Sequence, residues 1–362
     1  MPSTSESHVL ASSLNSGDET AIERVVAKAA SDGSSLRDFF KELFKYSAKN
    51  HRCEWSSDGV ALHPLTDLNA LKNLAALRLD SPSRSIVKEV TKICLKVDRF
   101  EQEFELENPT PIMLNQPLFT QEFIWAVAEA DREKAVLEAA KILAVSDNPS
   151  VVIEIVMEIA THHMERIGSF AYSVYRSATF SGRDAIGDFL ILLLSALTDE
   201  PWPLAPVEGN TTSSLTPYLE DVLRRGDDPA FCQFATAARL WSVDSVRQPG
   251  FRKGLLVWAQ EMFEASAELE HNGSTDGVSA QVSIMTALDE GNISKLSSAV
   301  AQARAQNDWS WPTLVAERWI ELASGKRSRF LFLDSLQSVS RTAPASLLPL
   351  IAERLVEVDR LI

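Results

Sequence analysis

The sequence predicts an all-α fold of helical hairpins, packed into a bundle or an irregular, curved repeat array. Three observations carry that expectation. Apolar residues recur at the helical spacing i, i+3, i+4, i+7; alternating β-branched runs are nearly absent; and one kind of tight corner returns four times.

The helical stripes are read directly. Ile22, Val25, Val26 and Ala29 form one. Val127, Ala135, Leu137 and Ile142 belong to others, as do Leu255, Val257, Trp258, Met262 and Phe263. Val151-Val152-Ile153-Glu154-Ile155-Val156 looks like a strand. It continues through Met157-Glu158-Ile159-Ala160 with its carboxylates four apart, which predicts a buried helix instead.

The recurring corner reads Leu14-Asn15-Ser16-Gly17-Asp18, Val127-Ala128-Glu129-Ala130-Asp131, Leu223-Arg224-Arg225-Gly226-Asp227 and Leu288-Asp289-Glu290-Gly291-Asn292. Glycine just past a helix end adopts the left-handed conformation cheaply, and the Asp or Asn beside it caps the next helix. Ala130 is the imperfect member, since alanine pays sterically there, and that corner is expected to turn differently.

Three corners open a longer unit of helix, break and helix. The breaks fall at Gly33-Ser34-Ser35, Ser146-Asp147-Asn148-Pro149-Ser150 and Asn307-Asp308-Trp309-Ser310-Trp311-Pro312. Units of roughly 33 residues fall in the length class of helical-hairpin repeats, and their wide separation suggests a duplicated larger block. Proline-rich connectors at Glu107–Pro117 and Glu200–Pro217, with a loop at His271–Gly277, divide the chain into blocks 1–108, 118–200 and 215–362.

Composition narrows the function classes. The 362 residues carry 35 Lys+Arg against 50 Asp+Glu, a formal charge of −15. A field of that sign repels phosphate backbones, and the densest basic run, Lys326-Arg327-Ser328-Arg329, is short. Neither a nucleic-acid nor a membrane partner is expected. Three scattered cysteines, Cys53, Cys94 and Cys232, make neither a disulfide framework nor a thiolate zinc site. The polar start Met1–His8 lacks a signal-peptide pattern, and a cytoplasmic protein is expected.

The sharpest candidate chemistry lies at Glu154, Glu158, His162, His163 and Glu165. Glu154, Glu158 and His162 are spaced to project from one helical face, and such groups lining a bundle can hold iron or manganese. His51 and His63, in the equivalent part of the first unit, would complete a metal set with Glu158, His162 and His163. The plainer alternative puts Glu154 and Glu158 on a solvated face, with a histidine at the helix C-terminus. Tyr172, Tyr175 and Arg176 share the next helical face and would position a substrate beside His162 and His163, or simply pack. Trp202, Trp309, Trp311 and Trp319 would offer a tryptophan-rich partner surface, or staple loops to helices.

Ala130-Asp131, His163, Gly168 and Tyr172, with counterparts Gly17-Asp18, His51, Gly59 and His63, resemble uncharacterised bacterial helical proteins and the questin oxidase-like group. That resemblance implies a Baeyer–Villiger-type oxidation of a polycyclic aromatic. The chain departs from the pattern at Ser169 and Val60, where histidine follows the glycine in the group. Two functional readings follow. The first is a binding or scaffold protein presenting a concave surface or inner pocket to a protein partner or a small apolar molecule. The second is an oxidoreductase, metal-dependent or not, acting on a small apolar substrate through His162, His163, Tyr172 and Arg176.

Overall fold

A computed structural model describes residues 4–100, 106, 110, 119–204, 214–265, 283–322 and 328–362. The connector around Glu107–Pro117, the loop at His271–Gly277 and Lys326-Arg327 lie wholly or largely outside these residues. The fold is all-α: eighteen α-helices are described, with one two-residue antiparallel β-ladder.

The first block contains α1 (Thr4–Ser16), α2 (Glu19–Ala29), α3 (Gly33–Asn50), the hairpin β1 (Glu54–Trp55) and β2 (Ala61–Leu62), α4 (Pro64–Ala75) and α5 (Arg84–Leu95). The second holds α6 (Thr120–Ala128), α7 (Arg132–Val145), α8 (Ser150–Ala160), α9 (Ser169–Ser181) and α10 (Ile186–Leu197). The third runs through α11 (Leu219–Arg225), α12 (Asp228–Trp241), α13 (Gln248–Met262), α14 (Ile284–Asp289), α15 (Ile293–Gln306), α16 (Trp311–Glu321), α17 (Ser328–Thr342) and α18 (Leu348–Arg360).

The central helix is α9, which packs on α3, α4, α8, α10 and α12. Helix α17 lies across α4 and α12 and also meets α18. One hydrophobic cluster runs from Leu10 to Val358 and takes residues from all three blocks, including Phe40, Phe44, Phe123, Phe189, Trp258 and Trp319. The run Val151–Ala160 is the buried helix its length implied. The four tryptophans grouped in the sequence do not make a surface: Trp202, Trp309, Trp311 and Trp319 are all buried.

All four corners form as the capping argument requires. Gly17, Gly226 and Gly291 sit at φ of 66°, 69° and 59°. Asp18 accepts from Thr20 and Ala21 N–H, Asp131 from Lys134, Asp227 from Ala230 and Asn292 from Lys295. Ala130 does not turn differently; it takes φ 60° like its glycine counterparts. The Asp131 N–H returns to Ala126 O at 2.8 Å, the same closure that Asn292 makes to Ala287 O at 3.1 Å. Replacing Ala130 by Gly should therefore raise stability by about 0.5–1 kcal/mol, the relief of left-handed strain less the extra freedom glycine has unfolded. Urea titration of both proteins measures it, and an unchanged or lower midpoint would contradict the strain. In the first unit the break lies just earlier than expected: Asp32 caps α3, and Gly33 is already its first residue.

Candidate functional site: a tryptophan-walled cleft

The first two units meet where each pair of helices turns. His51 ends α3 and bonds through Nδ1 to Ser47 Oγ at 3.1 Å. His63 caps α4: its Nδ1 accepts from Leu65 N–H at 3.1 Å, and its Nε2 lies 3.3 Å from His51 O. Because Nδ1 accepts, the ring is the neutral Nε2–H tautomer. Burial lowers its pKa to about 3, well under the ordinary 6.5. Between the two histidines the β1–β2 hairpin projects Trp55, turned at Gly59 with φ 71°.

The second unit supplies the matching wall. Helix α8 ends at Ala160, and a π-helical turn, Met164–Gly168, leads into α9. That turn aims Arg166 at the hairpin. Its Nε donates to Gly59 O at 3.3 Å, its Nη2 pairs with Glu200, and its guanidinium lies 5.6 Å from the Trp55 ring and 4.9 Å from Trp202. The two indoles are themselves 5.9 Å apart. His163 closes the far side edge-on to Trp202 at 5.1 Å, with Nε2 2.9 Å from Pro203 O. Cation–π and aromatic contacts of this kind hold side chains in fixed attitudes.

Beside this wall lies a half-open cleft of about 470 Å³. Trp55, Phe100, Ile191 and Leu192 give its apolar surface, while Arg52, Glu54, Arg132, Ser195 and Asp199 give its polar rim. The rim is cross-braced. Arg132 reaches Thr198 Oγ1 at 2.9 Å and Asp199 Oδ1 at 2.7 Å, while the Trp55 indole N–H donates to Asp199 Oδ2 at 3.3 Å. Cys53 also lines the cleft, and burial pushes its thiol up to about 12, so it stays protonated at neutral pH.

The structure scatters the residues singled out by sequence. His51 lines the cleft and packs 6.2 Å from His63, while His163 stands behind Trp202. His162 follows the end of α8 but still lies on the side of Glu158: Glu158 faces Gly250 and His162 faces Gly254, one turn apart on α13. His162 packs against Gly254 of α13, its Nδ1 is buried without a hydrogen bond to any described residue, and burial lowers its pKa to about 4. Glu154 is buried rather than solvated and accepts from Ser245 Oγ at 2.9 Å; Glu158 pairs with Arg247 at 2.6 Å. A Cβ on Gly250 or Gly254 would strike Glu158 or Thr161 at 2.5 and 2.2 Å, which is why α13 approaches α8 so closely only with glycine. His51 and His63 thus pair with each other, Glu158 and His162 face α13, and His163 stands behind Trp202. Among the described residues no three His, Cys, Asp or Glu side chains form a group able to hold a metal ion.

Tyr172 and Arg176 belong to yet another place, a polar cluster between α4, α9, α12 and α17. There Arg239 pairs with Asp334 at 2.6 Å and donates to Ser338 Oγ at 2.9 Å and Asp334 O at 2.7 Å. Asn73 donates to Asp334 Oδ2 at 3.1 Å. Tyr172 is buried against Arg239, and that burial raises its pKa. The cleft lining from α10 and the Arg239–Asp334 pair were missed from sequence because their members are far apart in the chain.

No helix among the described residues is long and apolar enough to cross a membrane. Comparison with known proteins finds no matching family model, no similar curated protein and no similar solved structure.

Proposed function

We propose that the chain is a binding protein whose cleft holds a small, flat, largely apolar molecule with polar groups at its edge. The observation that carries this reading is the cleft itself, floored by Ile191 and Leu192 and walled by the braced Trp55. Its volume of about 470 Å³ falls within the roughly 300–1,000 Å³ of small-molecule sites. The rim offers both signs of charge, Arg52 and Arg132 against Glu54 and Asp199, which suits a neutral ligand with donors and acceptors better than a strong anion. The ionisable groups lining the cleft favour binding over nucleophilic chemistry. The Cys53 thiol is held protonated, and His51 is engaged with Ser47.

Saturation-transfer NMR with a set of bicyclic aromatic fragments tests this. Binding is expected for the native chain. Trp55→Leu should weaken it about tenfold, the loss of one aromatic stacking contact. Ser195→Trp, which fills the cleft from α10, should abolish it. Fragments that bind both variants as they bind the native chain would contradict the assignment, as would a complete absence of binding.

A further inference from the structure

The β1–β2 hairpin is held in place mostly by contacts outside itself. Its ladder is two residues long, Glu54 opposite Leu62 and Trp55 opposite Ala61, and a hairpin that short is not stable alone. Of residues 52–62 only Ala61 is buried. What fixes the hairpin are contacts at its two ends. At the tip, Arg166 donates to Gly59 O and lies over Trp55, whose indole N–H donates to Asp199. At the base stand two buried histidines, His51 where the chain enters and His63 where it leaves. They meet through His63 Nε2–H and His51 O.

The base contact and the cap of α4 use one ring in one protonation state. His63 Nδ1 accepts from Leu65 N–H while Nε2–H donates to His51 O, so the neutral ring serves both bonds at once. A proton added to Nδ1 turns that acceptor into a donor facing the Leu65 N–H. The ring must then leave, and the base of the hairpin goes with it. Nothing around it offers the charged ring relief. From α9 the Phe170 ring lies 5.4 Å away. From α3 come His51 at 6.2 Å and, beyond it, Tyr46. Among the described ionisable groups of these helices and of α4, α5, α16 and α17, including Asp67 a turn into α4, the His51 ring alone acts on His63, and it disfavours the charge.

We propose that the hairpin is an acid-released wall of the cleft: proton uptake at His63 parts its base from α4 and carries Trp55 away from Asp199, while the helices behind it remain folded. Few buried contacts hold residues 52–62, so the segment opens below the cost of global unfolding. The opening does not depend on what the cleft binds; that it releases a ligand rests on the reading given to the cleft above.

The sign follows from burial. In place, His63 has a pKa of about 3, and once released it returns to the ordinary 6.5. The open population therefore grows as pH falls through the ordinary value, by about 25-fold from pH 7 to pH 5.

Amide hydrogen exchange on the 15N-labelled full chain at pH 7 and pH 5, each rate divided by the intrinsic rate at that pH, tests this. The bonded amides of Ser56 and Leu65 should be less protected than those of α9 at both pH values. Their protection should fall about 25-fold between the two. In His63→Asn, which keeps an acceptor for Leu65 and cannot titrate, protection should be level. Arg166→Met, which removes the tip contacts and leaves His63 alone, should lower Ser56 protection about tenfold at both pH values. A saturating bicyclic aromatic fragment should restore hairpin protection at pH 5. A hairpin that opens in acid but ignores every fragment keeps the acid release and takes down the assignment of the cleft. Four results would overturn the proposal: hairpin amides as protected as those of α9, protection that does not fall with acid, the same fall in His63→Asn, or unchanged Ser56 protection in Arg166→Met.

Discussion

Replacing Asp334 by Asn is expected to cost about 3–5 kcal/mol of unfolding free energy. Asp334 is 1% exposed, and its carboxylate is the partner of Arg239 at 2.6 Å. Arg239 is itself held on three sides, by Asp334 twice and by Ser338, and cannot swing out to water without breaking all of them. An asparagine of the same shape leaves a desolvated guanidinium without its counter-charge, and the penalty is that of the orphaned charge rather than the net worth of the pair. The double variant Arg239→Met/Asp334→Leu should recover most of the loss, because it removes both charges and keeps volume. Urea unfolding of the three proteins decides it. A loss below about 1 kcal/mol for Asp334→Asn would mean that the pair is effectively solvated.

Acid should destabilise the protein through His63. Its folded pKa of about 3 lies below the ordinary 6.5, so between those values the unfolded chain binds a proton that the folded chain refuses. The contribution is complete above the ordinary pKa and is lost as pH falls toward the folded one. From pH 7 to pH 5 the loss is about 2 kcal/mol from this residue alone. The structural reason is specific. Protonating Nδ1 abolishes the acceptor that caps α4, inside a site closed by His51 and Phe170. His162, lowered to about 4 by burial, adds a slope of the same sign over the same range. His63→Asn keeps a capping acceptor and loses the titration. Its stability should therefore fall by about 2 kcal/mol less than that of the native chain between pH 7 and 5. Parallel pH profiles would remove His63 as the origin.

What could be read from the sequence was what local physics decides. The corners at Gly17, Gly226 and Gly291 follow from left-handed backbone and a capping side chain within four residues, and they form with those caps. Ala130 shows the limit of that reasoning. Its own preference opposes the turn, but the Asp131 cap and the Asp131 N–H bond to Ala126 O hold it there. Glu158 and His162 both face α13, at Gly250 and Gly254, but periodicity could not show that Arg247, far along the chain, takes the carboxylate. Glu154 looked like a solvent-facing carboxylate, yet Ser245, far along the chain, buries and satisfies it. The cleft and the Arg239–Asp334 pair were illegible for the same reason. Trp55 meets Trp202, and Arg239 meets Asp334, only through tertiary packing.

The central claim is that the cleft beside Trp55 takes a small apolar ligand, and the indole N–H signals of the 15N-labelled protein test it most directly. Eight tryptophans give eight such signals, and the Trp55 indole N–H points at Asp199 on the cleft rim. On titration with a bound aromatic fragment, the Trp55 signal should move first and saturate, while fully buried Trp258 and Trp319 stay in place. Binding that leaves the Trp55 signal where it was, and shifts another tryptophan instead, would show that the ligand sits elsewhere and would contradict the account.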